Sequence, residues 1–428
     1  MEDVMIRAIV GANWGDEGKG KITDMYAAES DMVIRFQGGA NAGHTIIIDR
    51  GKFALHLLPS GVFYSHTTNI IGNGVALNVD MFVKEMNNLK EKGICPKILI
   101  SERAQIVMPY HILFDQYEEE RLAGRQFGST KSGIAPFYSD KYAKIGIPVC
   151  ELFYPERLKE RLTGILEVKN VLLKHLYHKP ELSLEEVFAT LMRYREQIAP
   201  YVCNTFEVVR EAVAAGKNIL LEGQLGSLKD PDFGIYPFTT SSHTVAGFGT
   251  IGAGVAPHQI QRITAVVKAY SSAVGAGPFV SEIFGEEAEI MRRNGGDAGE
   301  YGATTGRPRR MGWFDAVASR SGCRVQGATE AALTVLDALG YLDELKVCVG
   351  YEIDGAVTKH FPVNAKLEQA KPVLVSLPGW KCDIRGIRTY SELPVNCRKY
   401  IEFIEKELEV PVTIVTNGPK REDAIIKE

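Results

Sequence analysis

The amino-acid sequence predicts an α/β fold with a largely parallel central sheet. Short apolar runs bounded by Gly, Pro or Asn alternate with amphipathic helical stretches along the 428 residues. That alternation is typical of parallel strands connected by helices. Glycine-rich segments at 37–43, 223–254, 273–278 and 294–306 follow strands or lie between elements, where the ligand loops of such sheets belong. The chain has no low-complexity linker or internal repeat, so residues 1–428 are expected to form one large domain.

The predicted elements follow from residue type and period. Runs rich in β-branched residues predict strands over 5–10, 31–36, 97–101, 218–222, 345–353 and 410–416. Helical spacing of apolar residues predicts helices over 81–92, 184–198, 205–215, 328–339 and 398–408. In the last of these, Tyr400, Ile401, Ile404 and Leu408 repeat along one face, which indicates a buried side.

Composition and charge exclude several classes of protein. The hydrophobic fraction of 45% and charged fraction of 24% are those of an ordinary soluble globular chain. A formal net charge of -4 does not indicate binding to nucleic acid or to an anionic membrane, which would favour an excess of basic residues. No run of about 18 apolar residues predicts a spanning helix, and no signal segment is expected. Seven cysteines without a C-x-x-C pair indicate reduced thiols, so we expect a cytoplasmic enzyme.

The stretch GANWGDEGKGKITD, residues 11–24, has the spacing of a phosphate-binding loop. Gly15, Gly20 and Lys21 follow the first predicted strand and open a helix, which is the context that the motif requires. Ile22 stands where a Ser or Thr normally helps to hold Mg²⁺. The loop is therefore P-loop-like without being a standard Walker loop.

Two carboxylates, Asp16 and Glu17, lie inside this loop, where a negatively charged ligand belongs. A carboxylate beside Lys19 and Lys21 can hold the Mg²⁺ that the missing hydroxyl would have held. It can also act as a base on a second substrate placed against the γ-phosphate. The alternative is a solvated acidic loop that only imitates the motif.

A second glycine-rich turn, GGANAGHT (38–45), follows the second predicted strand. It contains one histidine, His44, and one amide side chain, Asn41. We expect neighbouring strands to bring this turn beside the phosphate loop. A histidine in such a polar setting suits proton transfer, although a structural histidine is the alternative.

The stretch GATTGRPRRMGWFD (302–315) contains Arg307, Arg309 and Arg310 in a chain of net negative charge. Guanidinium groups bind carboxylates and phosphates in bidentate fashion, so the cluster suits an anionic ligand. A solvated basic turn is the alternative.

Two shorter motifs leave alternatives open. Asp337, at the end of TVLD (334–337), could accept paired hydrogen bonds from a guanine edge, or lie on a helix surface. His175 and His178 have a spacing that suits a metal, but no acidic third ligand lies nearby in the sequence, so we interpret them as an exposed helix face.

Taken together, these loops resemble the adenylosuccinate synthetase family over essentially the whole chain. The matching motifs, in order, are GDEGKGK (15–21), GGANAGHT (38–45), GIYPFTTSS (234–242), KAYSSAVGAGPF (268–279), GATTGRPRR (302–310), ELPVNCRKYIEFIE (392–405) and GPKRED (418–423). The resemblance implies one large α/β domain with a mixed, mostly parallel sheet, and a homodimer. It also implies a GTP- and Mg²⁺-dependent ligase that joins IMP and L-aspartate to adenylosuccinate through 6-phosphoryl-IMP, releasing GDP and phosphate, on the path from IMP to AMP.

The resemblance assigns roles residue by residue. Asp16 would take the N1 proton of IMP, which makes the 6-oxygen nucleophilic, and would ligate Mg²⁺ together with Gly43. Lys19 would neutralise the transferring phosphoryl charge, and His44 would support the departing oxygen. The implied contacts are Asn41, Thr130, Lys144, Gln224, Thr240 and Arg307 for IMP, Thr304, Thr305 and Arg309 for aspartate, and Gly15, Glu17, Gly18, Lys19, Gly20, Lys21, Arg309, Asp337, Asn417 and Gly418 for GTP.

The sequence departs from the family pattern in its binding sites. Val335 replaces a lysine that flanks guanine, so GTP preference is expected to survive in weakened form. The family's substrate-contacting glutamine position holds Leu225, with Gln224 one residue earlier. Lys144 replaces an arginine that reaches the IMP phosphate across the dimer, and supplies charge without a bidentate fork. At 128–136 the sequence reads GSTKSGIAP, and its differences from the family pattern there are conservative.

Two other functions remain open at this point. A diverged paralogue could act on another oxopurine nucleotide or amino acid, which the Gln224/Leu225 difference favours. A nucleotide-binding regulator without ligase activity is the alternative from a different class. Asp16 and His44 argue against it, because a switch protein needs no substrate-side base.

Overall fold

The computed structural model describes residues 5–48, 51–125, 128–296, 299–302 and 306–427. Its strands in chain order are β1 (Ile6–Gly11), β2 (Met32–Arg35), β3 (His44–Ile48), β4 (Gly51–Leu55), β5 (Thr68–Ile71), β6 (Ala76–Leu77), β7 (Lys97–Ser101), β8 (Gln105–Ile106), β9 (Val202–Cys203), β10 (Ile219–Gly226), β11 (Ile260–Lys268), β12 (Ser271–Ala273), β13 (Glu282–Ile283), β14 (Arg310–Gly312), β15 (Phe314–Asp315), β16 (Glu330–Thr334), β17 (Glu344–Ile353), β18 (Ala356–Thr358), β19 (Lys371–Pro378), β20 (Val412–Thr416) and β21 (Ala424–Ile426).

The helices connect these strands and cover the faces of the sheet. They are α1 (Lys19–Ala27), α2 (Val79–Glu91), α3 (Pro109–Leu122), α4 (Ile134–Tyr142), α5 (Pro155–Leu172), α6 (Leu184–Ile198), α7 (Thr205–Ala214), α8 (Gly249–Ala253), α9 (Gly285–Asn294), α10 (Ala316–Gln326), α11 (Asn364–Leu367) and α12 (Val395–Leu408). Within the ranges given above, no helix is long and apolar enough to cross a membrane.

The central sheet has the strand order β21-β20-β16-β11-β1-β10-β2-β5-β7-β9. Its pairings are parallel apart from that of β20 with β21, which runs antiparallel. Ile6, Ala8, Ile9 and Val10 of β1 are all fully buried, since helices cover both faces. The prediction of a mixed, mostly parallel sheet flanked by helices is confirmed.

Two large clusters of buried apolar side chains lie beside the sheet. One is built around α2, α3, α5 and α6, and the other around α10, α12 and the 330–350 region. The apolar face predicted for 398–408 belongs to the second cluster, because Tyr400, Ile401, Ile404 and Leu408 are all buried there. That helix begins earlier than predicted, at Val395, directly after Pro394.

The helix predicted over 328–339 is wrong. Residues Glu330–Thr334 form β16, a fully buried strand between β11 and β20, and only Leu336–Leu339 make a single 3₁₀ turn. Ala, Leu and Glu favour a helix intrinsically, but propensity differences are small and burial on both faces of a sheet outweighs them. In the central sheet, the sequence analysis also missed strands β5, β9, β11 and β21.

Two positional expectations need correction. The strand predicted at 345–353 exists as β17, but it pairs with β15, β18 and β19 outside the central sheet. Strands β1 and β2 are not neighbours, because β10 lies between them. The loops after β1, β10 and β2 therefore meet as a trio at one edge of the sheet.

Candidate active site

A cavity of about 1040 Å³ opens at the carboxyl ends of the central strands. Its wall includes Trp14 to Asp16 after β1, Asn41 to Gly43 after β2, and Leu225 and Lys229 at and after the end of β10. Parallel strands direct their following loops to one edge, where ligands bind in open α/β sheets. The predicted site residues that line the cavity are Gly15, Asp16, Asn41, Gly43, Thr130, Thr240 and Arg309.

Asp16 lies at the junction between this cavity and the phosphate loop. Its Oδ2 accepts a hydrogen bond from Ser272, and it faces Lys268 Nζ at 3.5 Å and Arg309 Nε at 3.6 Å. The side chain is about one-tenth exposed, since its relative accessibility is 11%. Three donors or cations therefore hold the Asp16 carboxylate at the cavity, within reach of a substrate proton.

A second acid, Glu300, completes this network. Lys268 Nζ donates to Glu300 at 2.9 Å and to Ser272 at 2.6 Å, and Arg309 forms an ion pair with the same carboxylate. Burial by itself would raise the pKa of Glu300, but Lys268 and Arg309 lower it to about 2. The sequence analysis included Lys268 and Ser272 only as part of a motif that matches the family, and it did not identify Glu300 as a site residue.

Glu17 braces the phosphate loop from inside. Its carboxylate accepts from the backbone N–H groups of Asn13 at 2.9 Å and Gly15 at 2.8 Å, and from Lys19 Nζ at 2.6 Å. The residue is 1% exposed. The side chain is therefore committed to the shape of the loop, and any contact of Glu17 with a nucleotide falls to its backbone.

Helix α1 begins at this loop with an open end. Gly18, at φ +81°, is the N-cap, and no side chain caps the helix. A left-handed backbone there favours glycine, and the first N–H groups of the helix have no acceptor within the helix. Such a helix start binds phosphate through backbone donors and the helix dipole.

The predicted guanine-side residues lie beside the phosphate loop, outside the cavity wall. Thr334 Oγ1 donates to the Glu17 carbonyl at 2.5 Å, and Lys21 Nζ donates to the Gly418 carbonyl. Val335 N donates to Thr416 Oγ1 at 3.1 Å. Strands β16 and β20 thus bring the 334–337 and 416–418 segments to the phosphate loop.

Two acceptors project at this nucleotide face. Asp337 Oδ2 lies 3.1 Å from Arg385 Nε, and burial raises the pKa of Asp337 although Arg385 opposes that shift. Asn417 donates through Nδ2 to the carbonyls of Ile384 and Ile387, while its buried Oδ1 has no hydrogen-bond partner among the described atoms. An unpaired buried acceptor suits a ligand that carries N–H groups.

Gln224 supports the second glycine-rich turn. Its Oε1 accepts from Gly39 N at 2.9 Å, and its Nε2 donates to the carbonyls of Gly39 and Ala42, each at 3.0 Å. A Cβ on Gly38 would lie 1.8 Å from Gln224 Oε1, so only glycine fits beside this amide. Both amide hydrogens of Gln224 are therefore already used within the protein.

The remaining predicted residues occupy several settings. Asn41 lines the cavity and its buried Oδ1 lacks a partner within the described structure. His44 begins β3 and pairs with Leu55 across a hairpin. Lys144 is exposed beyond the end of α4, and Arg307 is exposed. Thr304 and Thr305 lie outside the described residues.

Lys229 is a cavity-lining residue that the sequence analysis missed. It ends a 3₁₀ turn, Ser227–Lys229, directly after β10. Its Nζ donates to the Phe238 carbonyl at 3.1 Å, and burial lowers its pKa to about 8. No spacing signal marked it, because a single lysine between apolar and acidic residues matches no motif.

Helix α1 begins without a side-chain cap, and Asp16 in the loop before it also lines the large cavity. This arrangement is typical of a class of protein, the nucleotide-dependent α/β enzymes that transfer a phosphoryl group to a second substrate. Comparison with known proteins gives the family. The sequence model of the adenylosuccinate synthetase family matches residues 8–425. This chain belongs to the adenylosuccinate synthetase family, the ligases that join IMP and aspartate with GTP in AMP synthesis.

Individual relatives agree with this assignment. The adenylosuccinate synthetase of Dehalococcoides mccartyi is 45% identical over 99% of this chain and 100% of its own length. That of Alkaliphilus metalliredigens is 46% identical over 98% of each chain. The fully ligated adenylosuccinate synthetase structure from Plasmodium falciparum superposes with a TM-score of 0.91 at 34% identity, over 99% of both chains. The cyanophage S-2L succinoaminodeoxyadenylate synthetase, at 16% identity and a TM-score of 0.61 over 99% of this chain and 95% of its own, shares the fold.

Proposed function

We propose that this chain forms adenylosuccinate with Asp16 as the base that removes the N1 proton of IMP. The supporting observation is the position of Asp16, which borders the cavity and belongs to the phosphate loop. Loss of the N1 proton makes the 6-oxygen of IMP nucleophilic toward the γ-phosphate of GTP. The 6-oxygen attacks the γ-phosphate and GDP leaves, which gives 6-phosphoryl-IMP. The aspartate amine then attacks C6, phosphate leaves, and the amine loses a proton.

The phosphoryl donor would lie on the uncapped start of α1. Backbone N–H groups there favour the triphosphate, and Lys19 would exchange part of its contact with Glu17 for the transferring phosphoryl group. Contacts of Gly15, Gly18, Gly20 and Lys21 with GTP belong to the same proposal. His44 is proposed to stabilise the departing β-phosphate oxygen.

Mg²⁺ is proposed as the metal, and the donor set fits it. Asp16 and Gly43 line the same cavity, and a carboxylate and a backbone carbonyl are hard oxygen ligands of the kind that Mg²⁺ prefers. The Asp16 carboxylate is surrounded by the Ser272 hydroxyl and by the positive charges of Lys268 and Arg309. These groups would also favour the phosphate anion that Mg²⁺ accompanies. Bound Mg²⁺ would neutralise phosphate charge at this position.

The substrate contacts form two proposed groups. Asn41, Thr130 and Thr240 line the cavity and would bind IMP, with the unpaired Asn41 amide oxygen as the main support. Thr304, Thr305 and Arg309 would bind aspartate, and Arg307 would contact IMP. The proposed contact of Gln224 with IMP has little support from its side chain, because its amide braces Gly39 and Ala42.

Guanine recognition is proposed to rest on Asp337 and Asn417. A carboxylate and an amide oxygen can accept from the N1–H and 2-amino groups of guanine, and adenine has neither donor. Gly418 would contact the same nucleotide. Val335 leaves this acceptor pair intact, so GTP is expected to remain the better donor.

A homodimer in the cytoplasm is part of the proposal. Exposed Lys144 would reach the IMP phosphate of the partner subunit, and the seven free cysteines fit a reducing compartment. A mixture of Asp16→Asn and Lys144→Ala chains tests the shared site. If Lys144 acts across a dimer, mixed dimers recover one intact site in two, or about a quarter of wild-type activity after random exchange.

A direct assay tests the function as a whole. The purified chain is incubated with IMP, aspartate and Mg²⁺, with GTP or ATP, and adenylosuccinate is followed by its ultraviolet absorbance. We expect product with GTP well ahead of ATP, and a loss of about 10²–10⁴-fold in kcat for Asp16→Asn. Full activity of Asp16→Asn would contradict the proposed base, and product only with another oxopurine nucleotide would favour the paralogue.

A further inference from the structure

Lys229 places an ammonium group on the cavity wall without a carboxylate partner. Among the described residues it forms no salt bridge, and its hydrogen bond to the Phe238 carbonyl uses one of three N–H donors. Two other cations that line the cavity are paired, Lys169 with Asp140 at 2.5 Å and Arg309 with Glu300. A partly buried charge of this kind is costly unless an anion or strong acceptor meets it.

The segment around Lys229 offers no other spare side-chain donor to a substrate. The Gln224 amide is saturated by Gly39 and Ala42, and Ser227 Oγ donates to the Gly11 carbonyl at 3.1 Å. Leu225 and Leu228 are apolar. Of the side chains at the end of β10 and in the turn after it, Lys229 is therefore the polar one that lines the cavity.

Lys229 lies on the same side of the cavity as the proposed base. Leu225 packs against the phosphate loop, with its Cα only 2.9 Å from the position of a Cβ on Gly15, directly before Asp16. Lys229 follows one turn later, and burial lowers its pKa while the Asp16 carboxylate opposes that shift. An ammonium group and a carboxylate that line the same side of one cavity can contact neighbouring atoms of one small ring.

We propose that Lys229 is a specificity-determining residue for the oxopurine, whose ammonium group donates to the 6-oxygen of IMP. The proposal rests on the proposed function, in which Asp16 removes the adjacent N1 proton. Negative charge then develops on the 6-oxygen, and a cation beside it stabilises that charge. Lys229 thereby takes the place of the glutamine that the family pattern has at position 225.

The test compares the full-length wild type with Lys229→Met, Lys229→Leu and the double variant Lys229→Leu/Leu225→Gln. Lys84→Met, on the exposed face of α2, is the matched control. We expect Lys229→Met to lower kcat/KM for IMP on the order of 10- to 100-fold, with KM for GTP little changed. The double variant is expected to recover a large part of the loss of Lys229→Leu, since the glutamine amide restores a donor from the same turn.

A ligand without the 6-oxygen separates this role from a phosphate contact. Calorimetric binding of IMP and of purine riboside 5′-monophosphate is measured for each variant. Lys229→Met is expected to weaken IMP binding and leave the analogue nearly unchanged. Equal weakening of both ligands, unchanged IMP binding, or no recovery in the double variant would overturn the proposal.

The pH profile gives a further readout. Burial lowers the pKa of Lys229 to about 8, so we expect the wild-type kcat/KM for IMP to fall above that pH, and we expect Lys229→Met to lack that fall. The binding experiment needs no turnover. A wild-type chain that binds IMP but makes no product would therefore count against the ligase assignment, while the comparison of the two ligands would still decide the role of Lys229.

Discussion

Lys268 Nζ lies 3.5 Å from Asp16 Oδ2, although 252 residues separate the two in the sequence. The same ammonium group donates to Glu300 and to Ser272, and Ser272 donates to Asp16. Strand β11 ends at Lys268 beside the end of β1, so the parallel pairing of these strands fixes the distance. The orientation of the proposed base is thus set by the central sheet.

Removal of this ammonium group should affect both catalysis and stability. Lys268→Met leaves Glu300 with Arg309 as its remaining cation in the network, and breaking a buried ion pair costs about 3 kcal/mol of unfolding free energy. We expect kcat to fall by at least about tenfold because Asp16 loses its orientation. Steady-state kinetics and thermal unfolding check this. Wild-type kcat in this variant would show that Lys268 does not position the base.

Glu300 also predicts how acid acts on the protein. Lys268 and Arg309 depress its pKa to about 2, from an ordinary value of 4.5, so its stabilising contribution is present above pH 4.5 and is lost as pH falls from 4.5 toward 2. In Lys268→Met the pKa of Glu300 is depressed less, so this loss should be smaller and should end at higher pH. Thermal midpoints measured between pH 3 and 7 for both proteins test the shift.

Glu17→Gln should loosen the phosphate loop. A neutral amide accepts more weakly from the N–H groups of Asn13 and Gly15, and no longer pairs with the Lys19 charge. We expect kcat/KM for GTP to fall by about 10-fold or more. Glu29→Gln, an exposed change beyond the same helix, is the control. Equal kinetics for the two variants would mean that the brace is unimportant.

Val335→Lys should strengthen guanine preference. Val335 is held at φ +62°, where a β-branched residue is strained, and its backbone is tied to Thr416. A lysine stem can cover the guanine ring while Asp337 keeps its acceptor. We expect the GTP-over-ATP ratio of kcat/KM to rise several-fold, with Val335→Ala as the control. An unchanged ratio would assign donor choice to Asp337 and Asn417 alone.

Asp315 predicts a pH dependence of opposite sign. Complete burial raises its pKa to about 6, from an ordinary value of 3.8, so between these pH values the folded state keeps a proton that the unfolded chain loses. Its contribution to stability is therefore greatest below pH 3.8 and declines as pH rises to 6. Asp315→Asn, which keeps an acceptor for the Ala318 N–H, should lack this decline. Identical pH profiles of thermal midpoint in the two proteins would contradict the assignment.

The sequence predicted what depends on local pattern. Five strands predicted from runs of β-branched residues lie close to their predicted positions, as does one helix predicted from apolar spacing. These elements are β1, β2, β7, β10, β20 and α12. Residues 330–334 were missed because their helix propensity is local, whereas the burial that makes them a strand depends on β11 and β20. Motif spacing placed Asp16 in the phosphate loop, but it could not reveal that Glu17 faces inward.

The sequence could not predict every residue of the site, as three side chains show: Lys268, Glu300 and Lys229. Each belongs to a different segment, and their relation to Asp16 arises from strand order. The sequence analysis expected β1 and β2 to be adjacent, and β10 between them is what brings Lys229 to the cavity. Side chains that meet only through topology carry no spacing signal.

The contact of Lys21 with the Gly418 carbonyl joins positions 397 residues apart. A chain still emerging from the ribosome would present its phosphate loop long before the 416–418 segment, whose Gly418 follows 397 residues after Lys21. Nascent chains that stop short of β20 would therefore lack Asn417, and the second of the two proposed guanine acceptors would arrive only with that strand.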